Sequence, residues 1–396
     1  MSAEPTRVVM VSANFHPYLG GAEKQALELA AALRRRGAQV SVATRRVGGL
    51  PRCEEIRGVP VTRLWRAGSG LLDSVSFAAC LAAFLWRQRS RYDAIHVHLA
   101  GSPAVAAALL GRLLGKRVVV KLGGGAGIGE LAASSRTRAG RLKLRALARW
   151  SPLFVAVTRE LVGEARLYLG PVAVFRVPNG VDVERYKPVP PARKAALRRR
   201  LGWPADATIF LYVGRLSAEK RLPRFAELWA EEARKAPASS FFAAVGAGPE
   251  REALSGALKR AGALERSSVP GPMADVEAAY AAADVFVLPS ISEGLSNALL
   301  EAMASGCAAL ASRVGGALEA VEEGRSGLLF APRDEGELRR CLRRFLDDPA
   351  LAAQLGRRGR ELAAARYSLE TVAQAYEALY RCGGRRSAAI SGSIKR

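Results

Sequence analysis

Two glutamates, Glu293 and Glu301, stand eight residues apart in the segment running from Ser290 to Gly306. The apolar run Val285–Leu288 precedes them, Pro289 turns the chain, and a helical pattern begins near Ser296. If the intervening stretch is helical, that spacing puts the carboxylates about two turns, or ~12 Å, apart. An acid/base pair in a glycoside hydrolase is separated by ~5–9.5 Å, so these two glutamates should touch different parts of one extended ligand. Between them the backbone N–H groups of Leu295, Ser296 and Asn297 open the helix, a ready site for phosphate. Taken singly, Glu293 reads as a first-turn dipole partner and Glu301 as a solvated helix position. The pair, in a strand–turn–helix setting, points to function.

Other residues offer further chemistry. Gly20 and Gly21 follow the first apolar run, where a missing Cβ lets backbone approach a phosphate or sugar closely. A turn serving only chain reversal fits them equally well. His98 ends the run Ala94–His98 and could hydrogen-bond a sugar hydroxyl; His96 shares its face of the strand and is assigned to the core. The stretch Lys121–Glu130 holds five glycines in ten residues, Gly123, Gly124 and Gly125 among them, and reads as a mobile loop or one ordered by substrate. Arg138, Arg141, Arg145 and Arg149 fall at spacings of three and four on one helical face beside Leu142, Leu144 and Leu147. Such a helix docks on anionic lipid, or is a solvated face over a core stripe.

The elements that must position these groups alternate along the chain. Short β-branched runs lacking in/out alternation, such as Arg7–Ser12, Arg117–Leu122 and Ile209–Val213, read as strands buried on both faces, hence parallel sheet. Helical stretches separate them, the first from Ala22 to Arg36 with Gly37 as a stop. The pattern restarts after Pro188-Val189-Pro190-Pro191. Two βα arrays joined by a Pro-rich hinge imply two doubly wound α/β domains facing across a central cleft, with ligands outside the carboxyl ends of the strands.

Composition narrows the class. The 396 residues are 49% apolar and 24% charged, an ordinary globular balance that excludes wholesale disorder. Five scattered cysteines and three histidines support neither a disulfide framework nor a zinc cluster, and point to a reducing compartment. The start lacks the apolar core of a signal peptide, and the longest apolar run, Phe77–Trp86, is short of a membrane span. Of the formal charge of +24, residues 1–186 carry +16, as expected if that half meets something anionic. Fifty of the sixty basic residues are Arg, so pI alone is a weak signal. A basic nucleic-acid-binding role stays only as a distant alternative, because the 7% aromatics do not interleave with the arginines.

The segment Ser290–Gly306 resembles the E-x7-E signature of the retaining, nucleotide-sugar-dependent glycosyltransferases of family 4. Further landmarks recur in the family's order over nearly the whole chain: Gly20-Gly21-Ala22-Glu23, His96-Val97-His98, Pro178-Asn179-Gly180-Val181-Asp182, Gly214–Lys220, Gly246-Ala247-Gly248-Pro249 and Asp284–Ser290. Ala247 stands where the family usually has Asp, Arg221 where it has Gly, and Cys307-Ala308 follows Gly306 in place of x-Pro. The resemblance implies the GT-B fold, with an acceptor-binding domain over 1–186, a donor-binding domain over 187–366, the helix 367–381 packing back onto the first, and a disordered basic tail over 383–396.

The resemblance also implies roles. Arg215 and Lys220 would meet the charge of a leaving nucleoside diphosphate, work that cations and helix N-termini do where no metal is required. Glu301 would hold the ribose hydroxyls and Glu293 would orient the donor sugar. Gly20, Gly21, Gly246, Gly248, Pro249 and the segment Leu295–Asn297 would line the donor, and His98 would act beside it. Gly123, Gly124, Gly125, Arg138, Arg141 and Arg145 would lie on the acceptor side. The implied function is retaining transfer from a UDP- or GDP-sugar, with neither cofactor nor metal, to a glycan or lipid-linked acceptor in cell-envelope polysaccharide, lipopolysaccharide or glycolipid synthesis. The implied location is the cytoplasm, with peripheral contact on the inner face of the membrane. A nucleotide-sugar epimerase and a glycan phosphorylase on the same architecture remain the alternatives.

Overall fold

The computed structural model describes residues 5–17, 20–124, 127 and 129–381. The expected site residue Gly125 and the expected tail over 383–396 lie outside them. The chain divides into two compact units, one made of residues 1–180 with 369–396 and the other of 181–368.

The first unit carries strands β1 (Arg7–Ser12), β2 (Gln39–Arg45), β3 (Cys53–Ile56), β4 (Val59–Leu64), β5 (Ala94–His98), β6 (Arg117–Lys121), β7 (Leu153–Ala156) and β8 (Val174–Arg176). Its helices are α1 (Gly21–Arg35), α2 (Gly70–Arg87), α3 (Ser102–Leu113), α4 (Glu130–Ser135), α5 (Arg138–Trp150) and α6 (Arg159–Leu169). Among the described residues the sheet runs in the order β3-β4-β2-β1-β5-β6-β7-β8. Every pairing is parallel except the β3–β4 hairpin. The hairpin was not expected, because Cys53–Ile56 is short and half charged. It covers the edge of the sheet, as an antiparallel end strand does.

The second unit comprises α7 (Pro191–Leu201), β9 (Thr208–Val213), α8 (Leu222–Ala233), β10 (Ser240–Val245), α9 (Arg251–Arg260), β11 (Ser267–Gly271), α10 (Val276–Ala282) and β12 (Val285–Leu288). It continues with α11 (Asn297–Ala304), β13 (Ala308–Ser312), α12 (Ala317–Ala320), β14 (Gly327–Phe330), α13 (Glu335–Asp347) and α14 (Pro349–Tyr367). Its wholly parallel sheet runs β11-β10-β9-β12-β13-β14. The strand order reverses beside β1 in the first unit and beside β9 in the second. These reversals are the switch points at which doubly wound sheets bind ligands.

The chain returns to the first unit through α15 (Leu369–Arg381). Its Leu369, Val372, Ala373, Tyr376, Leu379 and Tyr380 join a core cluster with Leu29, Leu33, Val119 and Val155. Arg36, just past α1, donates to Glu377 at 2.8 Å and also pairs with Glu370. Two of the expected motifs serve this architecture. Gly180 exchanges hydrogen bonds with the Gln25 amide at 3.0 and 2.7 Å, and a Cβ there would press on Leu369. Asp284 accepts from Lys194 at 2.6 Å, Arg198 at 2.5 Å and the Ile209 N–H at 2.8 Å, tying α7 to β9.

One reading needs correction. Helix α2 is, among the described residues, long and apolar enough to cross a membrane by length and composition, because Gly70–Ser76 extends the run counted from Phe77. In the structure one face of it is buried, while Leu71, Leu72, Val75 and Trp86 are exposed. Phe77, Leu81 and Leu85, four residues apart, are fully buried, and α2 packs on α3 and β4.

Tyr376 is fully buried, and its hydroxyl has no hydrogen-bond partner among the described residues. Tyr376→Ala should therefore cost about 3–5 kcal/mol, the usual loss for an aromatic core truncation. Tyr376→Phe should be neutral or stabilising by up to about 1 kcal/mol, since it removes a desolvated hydroxyl. Denaturant melts of the two variants check this, and a Phe variant as damaged as the Ala variant would contradict it.

Candidate functional site

The second unit brings its expected residues together at its switch point. Beyond β9 the chain makes the turn Gly214–Ser217 and a single 3-10 turn, Ala218–Lys220. Beyond β12 it passes through Pro289–Leu295 into α11. Lys220 Nζ, from the first excursion, is ion-paired with Glu293 Oε2 from the second. Both side chains are largely shielded, 14% and 19% exposed. The Ser290 hydroxyl donates to the same carboxylate oxygen at 3.3 Å, and the Ile291 N–H donates to the Glu219 carbonyl at 2.9 Å.

Glu293 thus stands in the loop before the helix and not on it, which corrects the expectation of two carboxylates spaced by two helical turns. Ser296 is the N-cap of α11, its hydroxyl accepting from the Leu299 N–H at 3.3 Å. Asn297 is the first helical residue. Glu301, one turn on, is 5% exposed instead of solvated. With burial, its charge holds the nearby Tyr280 hydroxyl well above its usual range.

Arg215 behaves differently from Lys220. Its side chain is 74% exposed and tethered to Glu219 at 2.9 Å, a carboxylate that also accepts from the Ser217 hydroxyl at 2.6 Å. Burial pushes the Glu219 carboxyl up, but hydrogen bonds from Ser217, its own backbone N–H and Arg215 outweigh that and hold it below the usual range. Tyr212 donates to the Arg215 carbonyl at 2.8 Å and fixes the start of the turn.

The glycines of this region have packing reasons. Gly246 (φ +145°) and Gly248 (φ +157°) lie against the β9 loop, where a Cβ would sit 1.8 Å from the Gly214 carbonyl oxygen and 2.1 Å from that of Leu216. Neighbouring Pro249 is exposed. Gly315 and Gly316 do the same for the glutamate loop, since a Cβ on Gly315 would meet the Glu293 carbonyl oxygen and one on Gly316 would meet Leu295. Sequence reasoning missed these two glycines, and Ser290 and Glu219 as partners. A Gly-Gly pair shortly after a buried strand was the available signal. Arg221, where the family has Gly, holds a left-handed φ of 53°, a conformation costing a non-glycine residue about 1–2 kcal/mol.

The first unit places its expected residues around its own switch point. Gly20 is the N-cap of α1 in extended backbone, and Gly21 is the first residue of that helix. His98, at the end of β5, is 3% exposed and stacks on His96 with ring centroids 4.5 Å apart. Neither ring nitrogen of His98 has a hydrogen-bond partner among the described residues, whereas His96 Nδ1 meets the Tyr380 hydroxyl at 2.7 Å. Burial, the neighbouring His96 and Lys121 keep His98 neutral, well below its usual range. Burial first and Lys121 second bring His96 down to about 3, and burial brings Lys121 itself down to about 7.

Gly123 and Gly124 are pinned by their surroundings. A Cβ on Gly123 would strike the Leu99 side chain, and one on Gly124 (φ +91°) would strike the Gly129 backbone. Glu130 organises this corner, accepting from the Ala100 N–H at 2.6 Å and the Gly123 N–H at 3.2 Å. Its burial raises it to about 7 despite those bonds. On α5, Arg138, Arg141, Arg145 and Arg149 are all exposed while Leu144 and Leu147 are buried. Leu142, expected to supply apolar area, is exposed among the arginines.

Comparisons with known proteins agree with this fold. Residues 19–185 match the family model Glycosyltransferase Family 4, and residues 193–362 match Glycosyl transferases group 1. A 2-deoxystreptamine glucosyltransferase of Streptomyces kanamyceticus is 31% identical over 85% of this chain and 92% of its own length. A D-inositol 3-phosphate glycosyltransferase of Streptomyces avermitilis is 36% identical, over 50% of this chain and 44% of that one. Among solved structures, Anabaena HepE in complex with UDP and glucose aligns with a TM-score of 0.75 at 22% identity, covering 94% of this chain and 98% of its own. The protein is a glycosyltransferase with the GT-B fold. The chain belongs to glycosyltransferase family 4.

The buried imidazoles set a pH dependence. Each is neutral when folded, while an unfolded histidine protonates near 6.5, so the unfolded state binds more protons as pH falls below that value. Stability should therefore drop from about pH 6.5 towards pH 3, by up to about 1.4 kcal/mol per pH unit for each ring. His98→Phe, which breaks no hydrogen bond, should flatten that slope by about one proton in melts between pH 4 and 7. An unchanged slope would contradict the buried neutral ring.

Proposed function

We propose that this glycosyltransferase is retaining and metal-independent, and that its second unit binds a nucleotide-diphosphate sugar at the Lys220–Glu293 pair. The observation that carries this reading is that a lysine and a glutamate from adjacent excursions meet at the switch point beside the N-terminus of α11. A leaving diphosphate gains negative charge as the sugar–oxygen bond breaks. Lys220, the Arg215 guanidinium and the N–H groups opening α11 supply the positive field to stabilise it. Glu293, held by Lys220 and Ser290, orients the donor sugar, and Glu301 takes the ribose hydroxyls.

The displacement is a same-face one: the acceptor oxygen attacks the anomeric carbon on the side from which the diphosphate departs, and the leaving phosphate takes the acceptor proton. UDP is the favoured nucleotide, with GDP the alternative; the UDP and glucose of the HepE complex support it. The acceptor is a glycan or a lipid-linked molecule of cell-envelope synthesis, met by the first unit in the cytoplasm. The exposed arginine face of α5, with Leu142 among it, supports peripheral docking on anionic lipid. The soluble acceptors in the relatives' names, 2-deoxystreptamine and D-inositol 3-phosphate, are the competing outcome of an acceptor screen.

Lys220→Ala and Glu293→Gln should each lower turnover at least about a hundredfold in a folded protein, as loss of transition-state electrostatics does. Both substitutions leave one member of a shielded pair behind, so thermal melts must accompany the rates. Near-wild-type turnover in both would overturn the assignment.

A thermal-shift screen of UDP-, GDP- and ADP-sugars should show one nucleotide raising the melting point most. Glu301→Ala should weaken that ligand's binding, and chelators should leave turnover unchanged. Turnover lost to a chelator and restored by a metal ion would refute the metal-free mechanism.

A further inference from the structure

The first unit holds a cationic recess that the donor chemistry does not use. It opens at the carboxyl ends of β1, β2 and β4, has a volume of about 80 Å³, and is lined by Asn14, His16, Arg45, Arg46, Arg63 and Arg66. Four arginines therefore line it from the ends of β2 and β4, beside the chain that leaves β1. Two carboxylates answer them. Glu54 pairs with Arg63, and Asp73 bridges Arg45 at 3.3 Å and Arg66 at 3.2 Å. The balance leaves two positive charges over.

The arginines are held in place, not merely nearby. Arg63 is 1% exposed, and its Nη2 donates to the His16 carbonyl at 2.8 Å. Arg45 lies over the Phe77 ring at 5.2 Å, and Arg66 Nε donates to the Arg46 carbonyl at 3.2 Å. Yet the Nε atoms of both Arg45 and Arg63 are buried without an acceptor among the described residues. A buried guanidinium donor left unpaired is costly, and added negative charge in the recess would offset part of the cost of holding these cations together. Fixed arginine forks match the oxygens of a phosphoryl group, which carries close to two negative charges at neutral pH.

We infer that this recess binds a phosphoryl group carried by the acceptor. The acceptor of this enzyme is thus a phosphate ester, whether water-soluble or presented as a lipid headgroup. The link to the acceptor rests on the glycosyltransfer reading above; the anion site itself does not.

The test uses the full chain with UDP at saturation, so that the donor site is filled. Inorganic phosphate and glycerol 3-phosphate are titrated by calorimetry against wild type and the double variant Arg46→Gln/Arg66→Gln. These two arginines are exposed, whereas Arg63→Gln would strand Glu54 and risk misfolding. Saturable binding of one phosphate per chain is expected, weakened at least about tenfold in the double variant, with UDP affinity and melting point unchanged.

Vesicles of phosphatidylcholine with and without phosphatidic acid then identify the source. If the double variant also loses its preference for phosphatidic acid, the recess takes a lipid headgroup. If only the soluble esters are affected, it takes a soluble phosphate. Wild-type phosphate affinity in the double variant, or no saturable binding of either probe, overturns the inference. Failure of UDP to bind would instead count against the donor site.

Discussion

The organisation of the second unit depends on a charge problem: a lysine and a glutamate are held together, largely shielded, at the switch point where the proposed diphosphate would sit. An unpaired carboxylate there would repel the ligand, and an unpaired, shielded lysine would be desolvated at a cost. Lys220 and Glu293 resolve both by facing each other across the junction of β9 and β12. Parallel β-strands that diverge at a switch point are what make the meeting geometrically simple. The excursion after each strand leaves the same sheet edge, and the helices that follow depart to opposite faces. The loops are then fixed from behind by glycine backbones, Gly246 and Gly248 under one and Gly315 and Gly316 under the other.

The two units solve opposite problems with the same fold. The second keeps Lys220 and Glu293 paired and charged in largely shielded loops at the carboxyl edge of its sheet. The first buries His96 against Tyr376 and Tyr380 from α15, with His98 stacked on it and Lys121 buried nearby, where desolvation favours the neutral forms. That burial couples α15 to β5. α15, the final described element, also packs with α1: Arg36 holds it through Glu370 and Glu377, and its tyrosine rings lie against His96.

The alternation of elements and the order of motifs were legible in the sequence, because parallel strands buried on both faces read as continuous apolar runs. Val285–Leu288 and Ala94–His98 have the ends their residues suggest. The pairing of Lys220 with Glu293 was not legible, since 73 residues separate them and spacing along a chain says nothing about which loops converge. Nor was Glu293's place outside the helix, because a capping serine at 296 shifts the start of α11 beyond it. Asp284 lies in a motif that resembles the family's, yet its role is to anchor α7; the residues themselves do not distinguish a ligand contact from a buried ion pair. The strands Cys53–Ile56, Ser267–Gly271 and Gly327–Phe330 are short edge or near-edge pieces whose polar or glycine ends hide the pattern.

The arginine recess shows the limit of composition most clearly. With fifty arginines in the chain, no single one stands out, and Arg45, Arg46, Arg63 and Arg66 belong to segments that read separately as strand ends. Their significance comes from convergence, together with a shortage of carboxylates: Glu54 and Asp73 can neutralise only two of four. Surface arginines at that density would spread apart to lower their mutual repulsion. Here Arg63 is instead buried and Arg45 is fixed over Phe77, so the fold bears a repulsion that Glu54 and Asp73 relieve in part and an added anion would relieve further. A net charge excess concentrated in the first 186 residues thus resolves into one particular place where it can act, at the carboxyl edge of a doubly wound sheet.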